Sequence, residues 1–274
     1  MPLARYVNEH HASLSFPFRR YQDQKVWRGE RVGDGRFREF SQFDFDVVGD
    51  GALPDAYDVE ILLLANDLLS AVDVSVEFHI SDTGVFRSLL SEVHVGRHRG
   101  ILKNITKCAM TGRDHLRTHL EEMGISSHVR GVILNLLDEP YSLAAAGEAV
   151  KGFTEAEVAV SRLGRTLDEL SLLRAGPISV TPDMSLVRDL SYYRGFVFEA
   201  FVPERAEWGS VCSGGRYDDV LGTGDRLMPG VGASIGTTRL FSLLQAEGLG
   251  MDYGQSPTQV AIVVDDWTRH SRDA

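Results

Sequence analysis

The sequence predicts an α+β fold in which an antiparallel sheet is flanked by helices and carries a helical insertion. Residues 26–48 contain two strand-like runs, and polar and apolar side chains alternate along the second run, as they do in a strand with one buried face. Between residues 85 and 173, leucines recur at intervals of three and four residues, which is typical of helices. Strand-like runs return at residues 196–202 and 231–235.

The remaining elements follow from local signals. Residues 32–35 (VGDG) predict a turn between the first two strands. Apolar residues at helical spacing predict a helix over residues 55–69, which should cover the sheet. We further predict a strand at residues 209–212, a glycine turn at residues 213–218 and a helix at residues 237–247.

The domain organisation is predicted to be discontinuous. Residues 1–80 and 177–250 form the core, and residues 81–176 form the helical insertion, divided into short helices by glycines. In an alternative arrangement these helices simply cover one face of the sheet. Residues 251–274 are predicted as a linker and the start of a truncated C-terminal domain, because the apolar run at residues 259–264 has no visible partner strand.

Composition limits the class of protein. The 274 residues carry a net charge of −11 and 43% of them are hydrophobic, so the chain can bury a sizeable core but is not expected to bind nucleic acid over its whole surface. Two distant cysteines indicate a reducing compartment rather than a disulfide framework. No run approaches the roughly 18 apolar residues of a membrane span, and no signal peptide is apparent. We expect a soluble, cytoplasmic protein with no membrane partner.

Residues 26–49 are rich in charged side chains for a pair of strands: Arg28, Glu30, Arg31, Arg36, Arg38 and Glu39. Buried arginines are costly unless an anion meets them, so this pair indicates a site for a polyphosphate or another strongly anionic ligand. Along the second strand, alternation places six side chains on one face: Arg36, Arg38, Phe40, Gln42, Asp44 and Asp46. The alternative is a solvated sheet face with paired surface charges.

Two later segments add candidate ligand contacts. Arg188 and the pair Tyr192 and Tyr193 stand just before a buried strand, where one tyrosine can face a ligand while the other packs. The alternative is two half-buried core tyrosines. Arg239 lies in the first turn of a predicted helix, where a cation opposes the helix dipole unless an anion arrives. The sequence contains no P-loop, no GxGxxG fingerprint and no Cys/His metal cluster.

Four segments, taken together and in order, resemble the histidyl-tRNA synthetases, a family of class II aminoacyl-tRNA synthetases. WRGERVGDGRFREFSQFDFDVVG (residues 27–49) is similar to motif 2, and GVGASIGTTRL (230–240) is similar to motif 3. LVRDLSYYRG (186–195) and CSGGRYDDV (212–220) are similar to the two histidine-specific motifs. The order and spacing also match, including the helical insertion, and the resemblance covers most of the chain. It implies an antiparallel sheet that holds ATP in a bent form.

The resemblance implies an ATP site along this sheet. Arg28 would contact the α-phosphate, Glu30 would lie near the adenine, and Phe40 would stack on the base. Arg36 and Arg239 would reach the β- and γ-phosphates. Together with Mg²⁺, these cations would offset the charge that builds up when the carboxylate of histidine attacks the α-phosphorus and pyrophosphate leaves. This reaction requires no covalent protein nucleophile.

The resemblance also implies a histidine-binding set: Gln42, Asp46, Arg188, Tyr192, Tyr193 and Tyr217. Gln42 would meet the α-amino group, while Asp46 and Tyr193 would hold the imidazole. Arg188 would lie by the carboxylate and the α-phosphate and act in place of a catalytic base. The catalytic residues that the resemblance implies are Arg28, Arg188 and Arg239.

A histidine–tRNA ligase is the implied function, with histidine, ATP and tRNA(His) as partners and a homodimer as the assembly. Motif 1, which builds the family's dimer interface, and a loop with an acidic residue for the α-amino group are not found in the sequence. Asp189, Ser191 and Arg194 replace a glycine, an aspartate and a threonine of the family pattern, and Thr238 replaces an acidic residue. These departures bear on histidine positioning and on full aminoacylation.

Other functions remain open on the sequence alone. One is a non-catalytic histidine-binding paralog, similar to the regulatory subunit of ATP phosphoribosyltransferase. Another is an amino-acid-activating paralog that does not use tRNA, in which the substitutions at Asp189, Ser191 and Arg194 would form a changed specificity pocket. The third hypothesis is that the sequence comes from a gene fragment or from a misplaced start codon, which would explain why motif 1 is missing.

Overall fold

The computed structural model describes most of the chain between residues 2 and 248. The described ranges are 2–29, 37–138, 142–173, 178–187, 190, 192–203, 205–218, 221–222, 226–246 and 248. Several sequence predictions fall outside these ranges: the turn at 32–35, the strand at 259–264, the segment 251–274, and the residues Glu30, Arg31, Arg36, Arg188, Asp189 and Ser191.

A seven-stranded sheet forms the centre of the fold, with its strands in the order β1-β2-β7-β6-β5-β3-β4. The strands are β1 (Phe18–Trp27), β2 (Glu39–Val48), β3 (Glu77–Asp82), β4 (Ser179–Pro182), β5 (Phe196–Phe201), β6 (Cys212–Arg216) and β7 (Gly230–Ile235). Neighbouring strands are antiparallel except for β3 and β4, which are parallel. A parallel pair needs a long crossover, which the helices between β3 and β4 provide. The predicted α+β class is confirmed, with this one parallel pair.

Helices flank the sheet and fill the crossover. Their bounds are α1 (Pro2–His10), α2 (Ala56–Ser70), α3 (Thr83–Leu89), α4 (Val95–Thr106), α5 (Cys108–Thr111), α6 (Arg113–Glu122), α7 (Ser127–Leu136), α8 (Leu143–Ala149), α9 (Thr154–Leu173) and α10 (Thr237–Ala246). The predicted helices at residues 55–69 and 237–247 correspond to α2 and α10, and α2 contacts β6 and β7. No helix in the described ranges is long and apolar enough to cross a membrane.

One apolar core joins the sheet to the helices on both sides of the crossover. Leu62 of α2, Phe198 of β5 and Leu163 of α9 belong to the same buried cluster, and α9 packs against α2, α3 and β3. A second, smaller cluster contains Val7 and Tyr217 and ties α1 to the neighbouring strands. The helical character predicted for residues 81–176 is therefore present, while their status as a separate domain stays a prediction.

The first strand was predicted in the wrong place. We expected it at residues 26–31, but β1 pairs with β2 in register from Phe18 opposite Val48 to Trp27 opposite Glu39, so only residues 26–27 of the predicted strand lie in β1. The missed residues, FRRYQDQK, carry few apolar side chains. They form a strand because β2 pairs with them along their whole length, and such tertiary contacts outweigh weak local strand propensity.

The strand predicted at residues 209–212 and the glycine turn predicted at 213–218 are both wrong, because β6 occupies Cys212–Arg216. The glycines permit close strand packing instead of a turn. A Cβ on Gly214 would lie 2.3 Å from the carbonyl oxygen of Gly232, and a Cβ on Gly215 would lie 2.6 Å from that of Phe196. Larger residues at these positions would push β5 and β7 away from β6.

Candidate functional site

A cavity of about 620 Å³ opens on the sheet beside α1. Pro2, Leu3 and Tyr6 of α1 form one wall, and residues of β1, β2, β6 and β7 line the rest together with a pair of tyrosines. Its hydrogen-bonding side chains include Arg20, Gln22, Gln24, Asp44, Asp46, Tyr192, Tyr193, Ser213, Tyr217 and Ser234. A concave site with aromatic walls and convergent polar groups suits a small polar ligand that contains a ring.

Asp46 is one of the two acids in the described ranges that line the cavity. The hydroxyl of Tyr217 donates a short hydrogen bond to its Oδ1, and Arg20 places Nη2 2.6 Å from its Oδ2. Gly232 lies opposite Asp46 on β7, and a Cβ at that position would stand 2.0 Å from Oδ1. Burial raises the pKa of Asp46, while Arg20 and Tyr217 act to lower it. The carboxylate is thus held by a hydrogen bond at one oxygen and by an ion pair at the other.

Three tyrosine rings pack against one another, edge-on or tilted, beside this carboxylate. The ring of Tyr192 lies 4.7 Å from that of Tyr193 and 5.6 Å from that of Tyr217, measured between centroids. Burial raises the pKa of Tyr192 and that of Tyr217, so both hydroxyls stay protonated and can donate. The rings therefore combine an apolar wall with hydrogen-bond donors, which is a suitable environment for a polar aromatic ring.

Asp44 occupies the next position on the same face of β2. Its Oδ2 accepts a hydrogen bond of 3.0 Å from the Gln22 amide, and its Oδ1 accepts one of 2.5 Å from the Ser234 hydroxyl. These donors come from β1 and β7, the two strands that pair with β2. Gln42 shares this face of β2 by alternation and is half-buried.

The remaining predicted residues in the described ranges lie at the other end of β2. The guanidinium carbon of Arg28 lies 5.3 Å from the centroid of the Phe40 ring, a cation–π arrangement. Arg239 is in the first turn of α10, as predicted, and its Nη1 donates a 2.7 Å hydrogen bond to the carbonyl of Ser210. The hydroxyl of Thr238 accepts a hydrogen bond from the amide of Ser41, which fixes the start of α10 against β2.

The structure thus divides the predicted site residues into two groups. Asp46, Tyr192, Tyr193 and Tyr217 line the cavity together. A second group lies outside its lining: Arg28, Phe40, Gln42 and Arg239. The others, Glu30, Arg36 and Arg188, lie outside the described residues.

Sequence reasoning missed the contribution of β1 to the cavity. Arg20, Gln22 and Gln24 line it from alternate positions of that strand. Residues 19–25 (RRYQDQK) are polar at nearly every position, so no alternation marks a strand face there, and the first strand was predicted to start at residue 26. Ser213 and Ser234 were also missed, since an isolated serine carries no local signal.

The tyrosine pair is positioned by the beginning of the helical segment. Arg87 of α3 donates hydrogen bonds from Nη2 to the carbonyls of Tyr193, at 2.9 Å, and Leu190, at 3.2 Å. Thr83 of α3 and Gly195 also form two hydrogen bonds with each other. The Thr83 amide donates to the carbonyl of Gly195, and the Gly195 amide donates to the Thr83 hydroxyl. We call the segment formed by residues 190 and 192–195 the tyrosine segment.

Arg216 was predicted to lie in a glycine turn, and this is wrong, because it is the last residue of β6. Its side chain is buried and lies 2.8 Å from the buried carboxylate of Asp58. It also donates to the carbonyls of Leu53 and Pro54. The backbone carbonyl of Arg216 accepts a hydrogen bond from the amide of Arg194. Arg216 therefore connects α2, β6 and the tyrosine segment.

Comparison with known proteins identifies the family. The model of a family described as histidyl-tRNA synthetase matches residues 1–240. The chain belongs to the histidyl-tRNA synthetase family. The four motifs quoted from the sequence are thus those of a true member, and the fold agrees with the class II synthetase architecture that they implied.

Named histidine–tRNA ligases are similar over nearly the whole chain. The one from Bifidobacterium longum subsp. infantis is 36% identical over 100% of this chain and 62% of its own length. The one from Micrococcus luteus is 37% identical over 98% of this chain and 60% of its own length. The chain therefore spans about 60% of the length of these curated relatives.

Solved structures with related sequences superpose on most of this chain. A histidyl-tRNA synthetase from a Nostoc species superposes with a TM-score of 0.78 at 31% identity, covering 90% of this chain and 59% of that one. A Bacillus halodurans structure described as an ATP phosphoribosyltransferase regulatory subunit/histidyl-tRNA synthetase superposes with a TM-score of 0.70 at 25% identity, covering 88% of this chain and 62% of that one.

Proposed function

We propose that the chain carries the amino-acid-activation site of a histidine–tRNA ligase. In this reaction histidine and ATP form histidyl-adenylate and pyrophosphate, and the histidyl group is then transferred to tRNA(His). The observation that supports this most directly is the Asp46 carboxylate, which contacts Tyr217 and Arg20 beside closely packed tyrosine rings in a chain of this family. An imidazole offers one N–H donor and one acceptor nitrogen, which match a carboxylate and a phenol.

The proposed histidine-binding residues are arranged along β2 and beside it. Asp46 and Tyr193 hold the imidazole, with Tyr192 and Tyr217 as the walls of the ring pocket. Gln42 binds the α-amino group. Selection rests on buried groups that would be left unpaired by an apolar amino acid, and such groups discriminate strongly.

ATP would lie at the other end of β2. Phe40 stacks on the adenine with Glu30 beside it, and Arg28 meets the α-phosphate. Arg36 and Arg239 bind the β- and γ-phosphates, and Arg188 lies between the two substrates. The carboxylate of histidine attacks the α-phosphorus, the bond to the bridging oxygen breaks, and pyrophosphate leaves with the electron pair. Fixed guanidinium groups stabilise the charge that develops in this step.

Mg²⁺ belongs to the proposal as a companion of ATP. In the described ranges, no three side chains of His, Cys, Asp or Glu come together as a metal site. Mg²⁺ usually keeps several waters and is held largely by substrate phosphates, and we propose that it enters with ATP in this way.

The proposal extends to partners and organisation. Residues 1–80 and 177–250 would form the catalytic core and residues 81–176 its insertion, with tRNA(His) as the macromolecular partner. Both cysteines, Cys108 and Cys212, are free and buried, in agreement with the cytoplasmic location that the sequence predicts. Pairing of two copies stays a prediction of the family resemblance.

Calorimetric titration with histidine, with ATP and with both, combined with pyrophosphate exchange, tests the activity. We expect histidine to bind alone and to support exchange with ATP. Asp46→Asn should weaken histidine binding about 10- to 100-fold, because a hydrogen bond to a charged group is lost, while ATP affinity stays unchanged. Absence of exchange with every amino acid would contradict the activation step.

A second candidate is a histidine-binding regulatory paralog, which the similarity to the Bacillus halodurans structure favours. In that case the protein binds histidine, Asp46→Asn still weakens histidine binding, and no pyrophosphate exchange occurs. Exchange with histidine but no transfer to tRNA(His) would favour the third candidate, an activating paralog that does not use tRNA.

A further inference from the structure

Among the residues that the structure describes, the cavity is lined by more negatively charged than positively charged side chains. Asp44 and Asp46 contribute carboxylates and Arg20 contributes a guanidinium. Arg20 places its Nη2 against Asp46, whereas Asp44 is hydrogen-bonded by the neutral side chains of Gln22 and Ser234. Neutral donors orient a carboxylate without neutralising it. The cavity therefore presents an oriented negative charge at Asp44, which complements a cationic group on a ligand.

The position of Asp44 on β2 indicates which ligand group this is. Phe40, Gln42, Asp44 and Asp46 follow one another on one face of the strand, with steps of about 7 Å between alternate residues. In the proposed function the ring of histidine lies at Asp46 and the phosphates lie towards Arg28. The reacting carboxylate must point to the phosphates, so the α-carbon and its ammonium group lie between these two ends, over Asp44.

We propose that Asp44 determines specificity by accepting a hydrogen bond from the α-ammonium group of the amino-acid substrate. This inference rests on the proposed function and adds a residue to it. Gln22 and Ser234 act as positioning residues, since they occupy one oxygen each and leave the remaining lone pairs of the carboxylate available to the ligand. An analogue without the amino group would leave this charge unpaired.

Two ligands and one variant test the proposal. The ligands are histidine and 3-(imidazol-4-yl)propionate, which keeps the ring and the carboxylate but lacks the amino group. Calorimetry on the full chain should show that the unmodified protein binds histidine about 10- to 100-fold more tightly than the analogue. Asp44→Asn should remove most of this preference, chiefly by weakening histidine. The variant should fold, because the Gln22 amide can rotate to present its oxygen to the amide group introduced on β2.

Asp23→Asn is the matched control. It removes the same charge from β1, but Asp23 is exposed and points to the opposite face of the strand from Gln22 and Gln24. The Asp23→Asn variant should prefer histidine over the analogue to the same extent as the unmodified protein. Thermal melting of both variants checks that folding is retained.

The outcomes separate this inference from the function on which it rests. If neither ligand binds the unmodified protein, the proposed function fails. If histidine binds but the analogue binds equally well, or if Asp44→Asn keeps the full preference, then the role of Asp44 is overturned and the function stands. Should Asp44→Asn fail to fold, Ser234→Ala takes its place, because it removes one of the two hydrogen bonds that orient Asp44. It should reduce the preference for histidine over the analogue, and an unchanged preference would overturn the role of Asp44.

Discussion

Burial and partners set the behaviour of individual carboxylates. Asp46 is hydrogen-bonded to a tyrosine and is largely buried, and this burial raises its pKa. Asp183 is also largely buried, which acts to raise its pKa, but hydrogen bonds from His79 and Ser185 outweigh this and hold the pKa below its usual value. The same residue type is therefore tuned in opposite directions by its neighbours.

The pair of His79 and Asp183 makes stability depend on pH. The two side chains are 2.8 Å apart, and this hydrogen bond raises the pKa of His79 above 6.5, with further support from Glu77 and Glu199. The stabilisation from His79 is complete below pH 6.5 and is lost as the pH rises through the raised value. The stabilisation from Asp183 is present above pH 3.8 and is lost as the pH falls through its lowered value.

His79→Gln should lower the free energy of unfolding by about 1 kcal/mol at mildly acidic pH, after discounting for partial exposure. The difference from the unmodified protein should shrink as the pH rises. Urea unfolding over a pH series measures it. His115→Gln, on the exposed side of α6, is the control and should show no such trend. Parallel pH profiles for His79→Gln and the unmodified protein would refute the pair.

At the scale of elements, the site depends on contacts between segments far apart in the chain. The tyrosine segment has little regular structure of its own and is held by α3, which follows β3. Arg87 spans the carbonyls of Leu190 and Tyr193 with one nitrogen. A short helix at the entry to the helical segment therefore determines where the tyrosine rings stand.

Arg87→Met keeps the aliphatic stem and removes both hydrogen bonds. We expect histidine affinity to fall about 10-fold, because hydrogen bonds of this kind contribute roughly 0.5–1.5 kcal/mol each, while ATP affinity stays the same. Arg87→Lys should recover part of the loss. Separate titrations with the two ligands measure this split.

Arg97→Met is the control for that variant. Arg97 of α4 also donates to a backbone carbonyl, that of Met123, but at an exposed place outside the cavity. It should leave both affinities unchanged. Equal losses for histidine and ATP in Arg87→Met would show a general structural defect and contradict a positioning role.

At the scale of the whole molecule, sheet and helices share one hydrophobic core. The long helix α9 packs on α2, α3 and β3, and its buried residues join the same cluster as the central strands. Such continuity favours one cooperative unfolding unit. An insertion that folded independently would instead unfold in a transition of its own.

Leu163→Ala tests this coupling. Leu163 is fully buried in α9, so the truncation should cost about 2–5 kcal/mol. Unfolding followed by circular dichroism, which reports helices, and by tryptophan fluorescence, which includes Trp27 of β1, should shift together. Leu172→Ala on the same helix, where the side chain is 82% exposed, should change little. Two separated transitions would support an independent insertion.

How much was predictable varies with the range of the interaction. The alternation on β2 predicted the shared face of Gln42, Asp44 and Asp46, and helical spacing predicted α2, because these patterns depend on neighbours in the chain. The glycines of β6 were misassigned as a turn. Their reason lies in β5 and β7, which come close to them only in the folded sheet.

The sequence by itself determined the fold class, the family motifs and the identity of the acid and the tyrosines that meet in the cavity. The tertiary structure decided that Arg20 lies against Asp46, that Arg87 holds the tyrosine segment and that Arg216 is buried against Asp58. The physical reason is that strand and helix periods are local, whereas charge pairing depends on which strands become neighbours when the common core is buried.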